Sequence, residues 1–175
     1  SLIDGLNPMN SDPQWDPKGE DGTANTNIVF HAGKLLALEE GHVPFELDPI
    51  TLESKGAYDY GGKLKSPMTA HPKIDPISGD MYGFSYTAEN FFSSKMSYFV
   101  INSQGELKTY EEFEAPFASM VHDFMVTDQH IIFPIFPLTI DFDRVVKGQS
   151  PIAWDPDKGT HVGVMPRNGS VDDIQ

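Results

Sequence analysis

Glycine and proline recur along this chain so often that no long helix fits between them. Fourteen prolines and fifteen glycines punctuate 175 positions. Proline removes a backbone donor and glycine supplies conformations other residues avoid, so each is a turn signal. The runs between these breaks are short and rich in valine, isoleucine and aromatic residues, which suit a pleated, half-buried surface. Residues 1–24, with Asn7-Pro8, Asp12-Pro13, Asp16-Pro17 and Gly19, read as an irregular surface or connecting segment. From residue 25 onward the pattern is one of successive antiparallel hairpins.

Five hairpins are expected. Ile28-Val29-Phe30 and Leu35 to Leu38 flank Ala32-Gly33-Lys34. Ser78-Gly79-Asp80 leads into Met81 to Tyr86, and Lys95 to Ile101 pairs with Leu107 to Phe113 around Asn102-Ser103-Gln104-Gly105. Met120 to Val126 pairs with Ile131 to Phe136 around Thr127-Asp128-Gln129, and Pro151 to Trp154 pairs with His161 to Met165 around Asp157-Lys158-Gly159. The stretch from Ala88 to Ser94 is the weak helical candidate. The expected class is all-β, and repeated hairpins fit a propeller, a sandwich or a meander. The irregular start and the uncapped end at Asp172-Asp173-Ile174-Gln175 read as a piece of a larger protein.

Charge and composition exclude several functions. Twenty-six acids against twelve bases give a formal charge of −14, with no basic stripe to attract nucleic acid. No apolar run approaches membrane-spanning length, and the first residues have no signal-peptide character. Zero cysteines remove disulfides, zinc–thiolate sites and iron–sulfur clusters. A metal would have to use nitrogen and oxygen ligands, and a cytoplasmic setting is compatible with this composition.

Histidines occur at 31, 42, 71, 122, 130 and 161, and no pair has the close helical spacing of a hydrolytic zinc motif. Any metal site must therefore gather ligands from separate strands. A histidine taken singly is more often a hydrogen-bonded or surface residue than a ligand. Two stand apart from that background. His71 precedes Pro72, which biases it toward an extended, rigid backbone. His122 falls in Met120-Val121-His122-Asp123-Phe124-Met125-Val126, where strand periodicity would set it on one face with Met120, Phe124 and Val126. An imidazole among such neighbours needs a partner, and a metal is one. Glu39-Glu40 closes an apolar run, so one of the two carboxylates is expected to point inward.

Several stretches resemble, in the same order, the carotenoid cleavage oxygenases, including their stilbene- and phenylpropene-cleaving members. They are Asn25-Thr26-Asn27, His31 through Glu40, Thr69-Ala70-His71-Pro72-Lys73-Ile74-Asp75-Pro76, Val121-His122-Asp123-Phe124 and Met165-Pro166-Arg167. The Ala-His-Pro-Lys and Val-His-Asp-Phe motifs are specific in combination. The resemblance implies a seven-bladed β-propeller with iron(II) on its axis, held by four histidines, and O2 as co-substrate. By that resemblance His71 and His122 are two ligands, the other two would lie beyond residue 175, and residues 25–175 are several blades of the propeller. Glu40 matches a carboxylate that accepts a hydrogen bond from a ligand histidine, which orients the ring and raises its basicity. Thr26 matches a threonine near an open iron position. Phe124 is a candidate for lining the substrate cavity.

Glu39 departs from the pattern, since phenol-cleaving members tend to carry lysine here and carotenoid-type members tryptophan. A glutamate can accept a phenol proton but cannot stabilise a phenolate as a cation does. The implied activity is cleavage of an alkene C=C bond to carbonyl products, with a stilbene, phenylpropene or (apo)carotenoid as the small hydrophobic or phenolic substrate. The competing readings are a polyene isomerase on the same scaffold and a non-catalytic propeller that only binds.

Overall fold

The computed structural model describes residues 22–175, so most of the irregular segment expected over 1–24 lies outside the described residues. Two compact units divide the chain: residues 22–85 with 97–111, and residues 86–96 with 112–175.

In the first unit, Ala32 (φ 48°) and Gly33 (φ 78°) both adopt left-handed backbone. That is the turn whose twist matches a tight hairpin, and it folds β1 (Asn27–His31) onto β2 (Lys34–Leu38). β3 (Phe45–Leu47) and β4 (Ser54–Ala57) continue the meander, giving the order β1-β2-β3-β4, with a register shift between Glu46 and Leu47. Neither β3 nor β4 stood out in the sequence: each is short and holds few β-branched residues. A second sheet has the order β5-β6-β7-β8: β5 (Lys73–Ile74), β6 (Met81–Ser85), β7 (Lys95–Ile101) and β8 (Leu107–Glu114). The first ends of β7 and the last residues of β8 belong to the other unit.

The core of this unit gathers Leu36, Leu38, Leu64, Met68, Met81 and Phe99, with Ile101 and Leu107. β6 is buried along its whole length, so it carries no polar-out alternation. Gly83 lies directly across from Phe99, whose ring covers it.

The second unit corrects two expectations. Met120 to Val126 is not one strand: pairing covers only β9 (Met125–Val126) against β10 (His130–Ile135). The register explains why. Thr127 N–H donates to His130 O, so the next hydrogen-bonded pairs are Met125 with Ile132 and then Asp123 with Pro134. Pro134 has no N–H to offer, and the ladder stops. Pro151–Trp154 and His161–Met165 do not form a hairpin either. β12 (Ile152–Trp154) pairs with β11 (Leu138–Ile140), whereas β13 (His161–Pro166) pairs with β10 over six positions. A turn at 157–159 does exist, but six-residue β13 can pair along the whole length of β10, whereas three-residue β12 could not.

The only α-helix among the described residues is α1 (Phe142–Val146), capped by the Asp141 carboxylate accepting from Asp143 N–H. Ala88 to Ser94 forms turns and bends instead of a helix. No helix among the described residues is long and apolar enough to cross a membrane. The chain is all-β in class.

Candidate metal and substrate site

His71 sits in a loop fastened by several hydrogen bonds. Met68 N–H donates to His42 O at 3.0 Å and Thr69 N–H to Phe84 O at 2.8 Å. His71 N–H donates to the Thr69 hydroxyl at 3.0 Å, and Asn27 Nδ2 donates to Ala70 O at 2.8 Å. With Pro72 following, the backbone on both sides of the half-buried ring is held. Asn27 therefore ties the start of β1 to the histidine loop. Nothing in its sequence position singled out that role, because a residue pair separated by 43 positions leaves no local signal.

Glu40 belongs to the same unit as His71, and one of its carboxylate oxygens comes within 4.8 Å of a His71 ring nitrogen. Both side chains belong to a group that could hold a metal ion. Their donor chemistry is imidazole nitrogen and carboxylate oxygen in a chain without cysteine, which suits iron(II).

Of the two adjacent glutamates, Glu39 is the inward one, 5% exposed. Its carboxylate is already occupied: Oε1 accepts from Thr23 N–H at 2.9 Å and Oε2 from the Thr23 hydroxyl at 2.7 Å. Gly22 lies against the same place. A Cβ there would fall 2.8 Å from Glu39 Oε1, 2.9 Å from His42 Cγ and 2.3 Å from Phe45 Cε2, so any larger residue would force these side chains to shift. His42 is fully buried, with Nδ1 on Val43 O at 2.7 Å and its ring stacked on Phe45. Thr26, by contrast, is exposed, its N–H donating to Leu38 O and its hydroxyl to Asn25 Oδ1. His31 joins Gly79 O at 2.9 Å, a packing role.

His122 lies in the second unit, and the expectation of a buried ring on a strand face is corrected there. The segment leaves the ladder at Pro134, so His122 is exposed. Phe124 is buried at 1% exposure and stacks on Phe133, with centroids 6.0 Å apart. His122, Phe124 and Met125, with Phe136, Leu138 and Trp154, line an open, largely apolar cavity of about 480 Å³. Phe136 and Trp154 had no sequence signal, since their relation to His122 depends on which strands pair.

A family model described as retinal pigment epithelial membrane protein matches residues 2–175. The chain belongs to the carotenoid and stilbene cleavage oxygenase family. Over 149 residues it is 43% identical to resveratrol cleavage oxygenase 1 of Aspergillus fumigatus, covering 85% of this chain and 30% of that protein. Over 171 residues it is 41% identical to isoeugenol monooxygenase of Pseudomonas putida, covering 97% and 35%. The crystal structure of Pseudomonas brassicacearum lignostilbene dioxygenase superposes with a TM-score of 0.83 at 40% identity, covering 89% of this chain and 32% of that one. The chain thus spans about a third of the length of these relatives. The all-β chain is homologous to the seven-bladed β-propeller scaffold that the resemblance implied.

Proposed function

We propose that this chain forms part of an iron(II)-dependent oxygenase that cleaves an aryl-substituted alkene with O2 to give carbonyl products. The observation that carries the reading is the anchored His71 loop with the Glu40 carboxylate beside it. A carboxylate that accepts a hydrogen bond from a ligand histidine fixes the ring orientation and increases its basicity, and that is the role this reading gives Glu40. His122 is the second ligand in this reading, and the remaining two histidines come from other parts of the protein. Bound iron(II) supplies the capacity to activate O2.

The chain's own residues do the rest. The His71 loop holds one ligand without rearrangement, because its backbone is tied to β1, β6 and the segment after β2. By the family resemblance Thr26 stands near the open side of the metal, and Glu39 has its carboxylate held by Thr23. Phe124 backs the apolar cavity beside His122. Lignostilbene, resveratrol and isoeugenol, the compounds in the names of the relatives, share an aryl ring conjugated to a C=C bond, and that is the substrate class we assign.

The test is iron content and product analysis of the whole protein. About one iron per chain, lost in His71→Ala and in His122→Ala, and two carbonyl fragments from a hydroxystilbene are expected. Products that keep every substrate carbon would make it an isomerase. Iron-free protein that still binds the alkene would make it a binding module.

A further inference from the structure

The peptide unit between Ala70 and His71 is gripped at both of its polar ends. Its carbonyl, Ala70 O, accepts from Asn27 Nδ2 at 2.8 Å, and its N–H, on His71, donates to the Thr69 hydroxyl at 3.0 Å. A peptide group is planar, so fixing both ends fixes the plane. Pro72 restricts the His71 backbone on the other side, which leaves the Cα–Cβ bond of His71 little freedom of direction. The two grips differ in reach. Thr69 belongs to the loop itself, whereas Asn27 lies 43 positions before Ala70, on β1.

The orientation of the Asn27 amide is fixed by its second hydrogen bond. Ile28 N–H donates to Asn27 Oδ1 at 2.8 Å. Turning the amide over would set an NH2 against that N–H and an oxygen against Ala70 O, two contacts of like with like. β1 is also the strand that places Glu40. Asn27 stands opposite Leu38 in the β1–β2 register, Thr26 N–H donates to Leu38 O at 3.0 Å, and Glu40 follows two residues later. One side chain thus joins the hairpin that leads into Glu40 to the loop that carries His71, all within the first unit.

We propose that Asn27 is a positioning residue for the metal site: its amide holds His71 in register with Glu40 and so prepares the imidazole for iron. The proposal rests on the function inferred above, in that it takes His71 to be an iron ligand. A ligand held in place before the metal arrives loses less entropy on binding it.

The test compares Asn27→Asp with Asn27→Ala in the whole protein. The aspartate variant keeps the shape and still accepts from Ile28 N–H, but turns a second oxygen toward Ala70 O where the donor was. The alanine variant loses both bonds. Iron(II) affinity, read without oxygen by competition with a chromogenic chelator, should fall about tenfold or more in both. The negative charge added in Asn27→Asp would by itself attract the cation, so weaker binding there reports lost positioning. The visible d–d bands of the cobalt(II)-substituted protein should shift in Asn27→Asp. In metal-free protein the His71 amide should exchange faster while the thermal midpoint stays near that of the parent. Parental iron affinity and cobalt spectrum in Asn27→Asp would overturn the proposal, and a weakened Asn27→Ala beside them would leave Asn27 as a cap on β1. Iron loss that only tracks a lowered thermal midpoint would overturn it as well. A parent that binds no iron removes the oxygenase reading and this proposal with it, whereas an iron-loaded parent with indifferent variants removes this proposal alone.

Discussion

Gly83→Ala tests the packing of the first unit most directly. An ideal Cβ at Gly83 would lie 2.3 Å from Phe99 Cε2 and 2.7 Å from Cζ, where carbon atoms prefer about 3.5–4.0 Å. The ring must therefore move by more than 1 Å, roughly, to restore contact distance. Phe99 is fully buried, and its ring lies parallel to that of Tyr110, centroids 6.5 Å apart and planes 9° from parallel. Displacing it forfeits an aromatic contact of about 0.5–1.5 kcal/mol and drives the side chain off its rotamer at a similar cost. Replacing a strand glycine returns about 0.5–1 kcal/mol of backbone entropy. The net expectation is a loss of about 1–2 kcal/mol. Urea unfolding should show a lower midpoint at unchanged slope. The double variant Gly83→Ala with Phe99→Leu should be less destabilised than the two single changes added together, since the smaller side chain relieves the clash. A midpoint equal to or above that of the parent, or strict additivity in the double variant, would refute the packing argument.

Two further expectations concern the carboxylates. Glu39→Ala leaves Thr23 without both acceptors, so hydrogen exchange at the Thr23 amide should accelerate about tenfold or more while β6 amides are unaffected; equal protection in the variant would mean that Glu39 does not hold that segment. Asp48 is exposed, but N–H groups of Thr51 and Ile50 donate to its carboxylate and Lys55 lies nearby, which lowers its pKa from 3.8 to about 2. With the folded value depressed, its support of the β3–β4 turn is fully present above pH 3.8 and fades as pH falls through about 2. The amide resonances of Ile50 and Thr51 should shift with an inflection near the lower value, and an inflection at 3.8 would remove the argument.

The local chemistry of this chain was written in its residues. Ala32-Gly33 between two apolar runs marks a hairpin because Gly33 takes left-handed backbone without a Cβ penalty, and β1, β2, β6, β7 and β8 follow the same short-range logic. The motif around His71 and the Glu39-Glu40 pair are equally local, so the His71 loop and its carboxylate neighbour could be singled out as candidates from the sequence. Partner choice could not. Whether β13 joins β12 or β10 depends on the length of ladder each offers, and the end of β9 depends on Pro134 of the neighbouring strand. The same holds for which glutamate turns inward, since Glu39 takes that place through Thr23 hydrogen bonds formed 16 positions away. Turns and motifs are properties of consecutive residues, and the sequence by itself determined them. Strand pairing, the apolar cavity beside His122 and the fastening of the His71 loop by Asn27 required the tertiary structure, because each depends on groups that only the folded chain brings together.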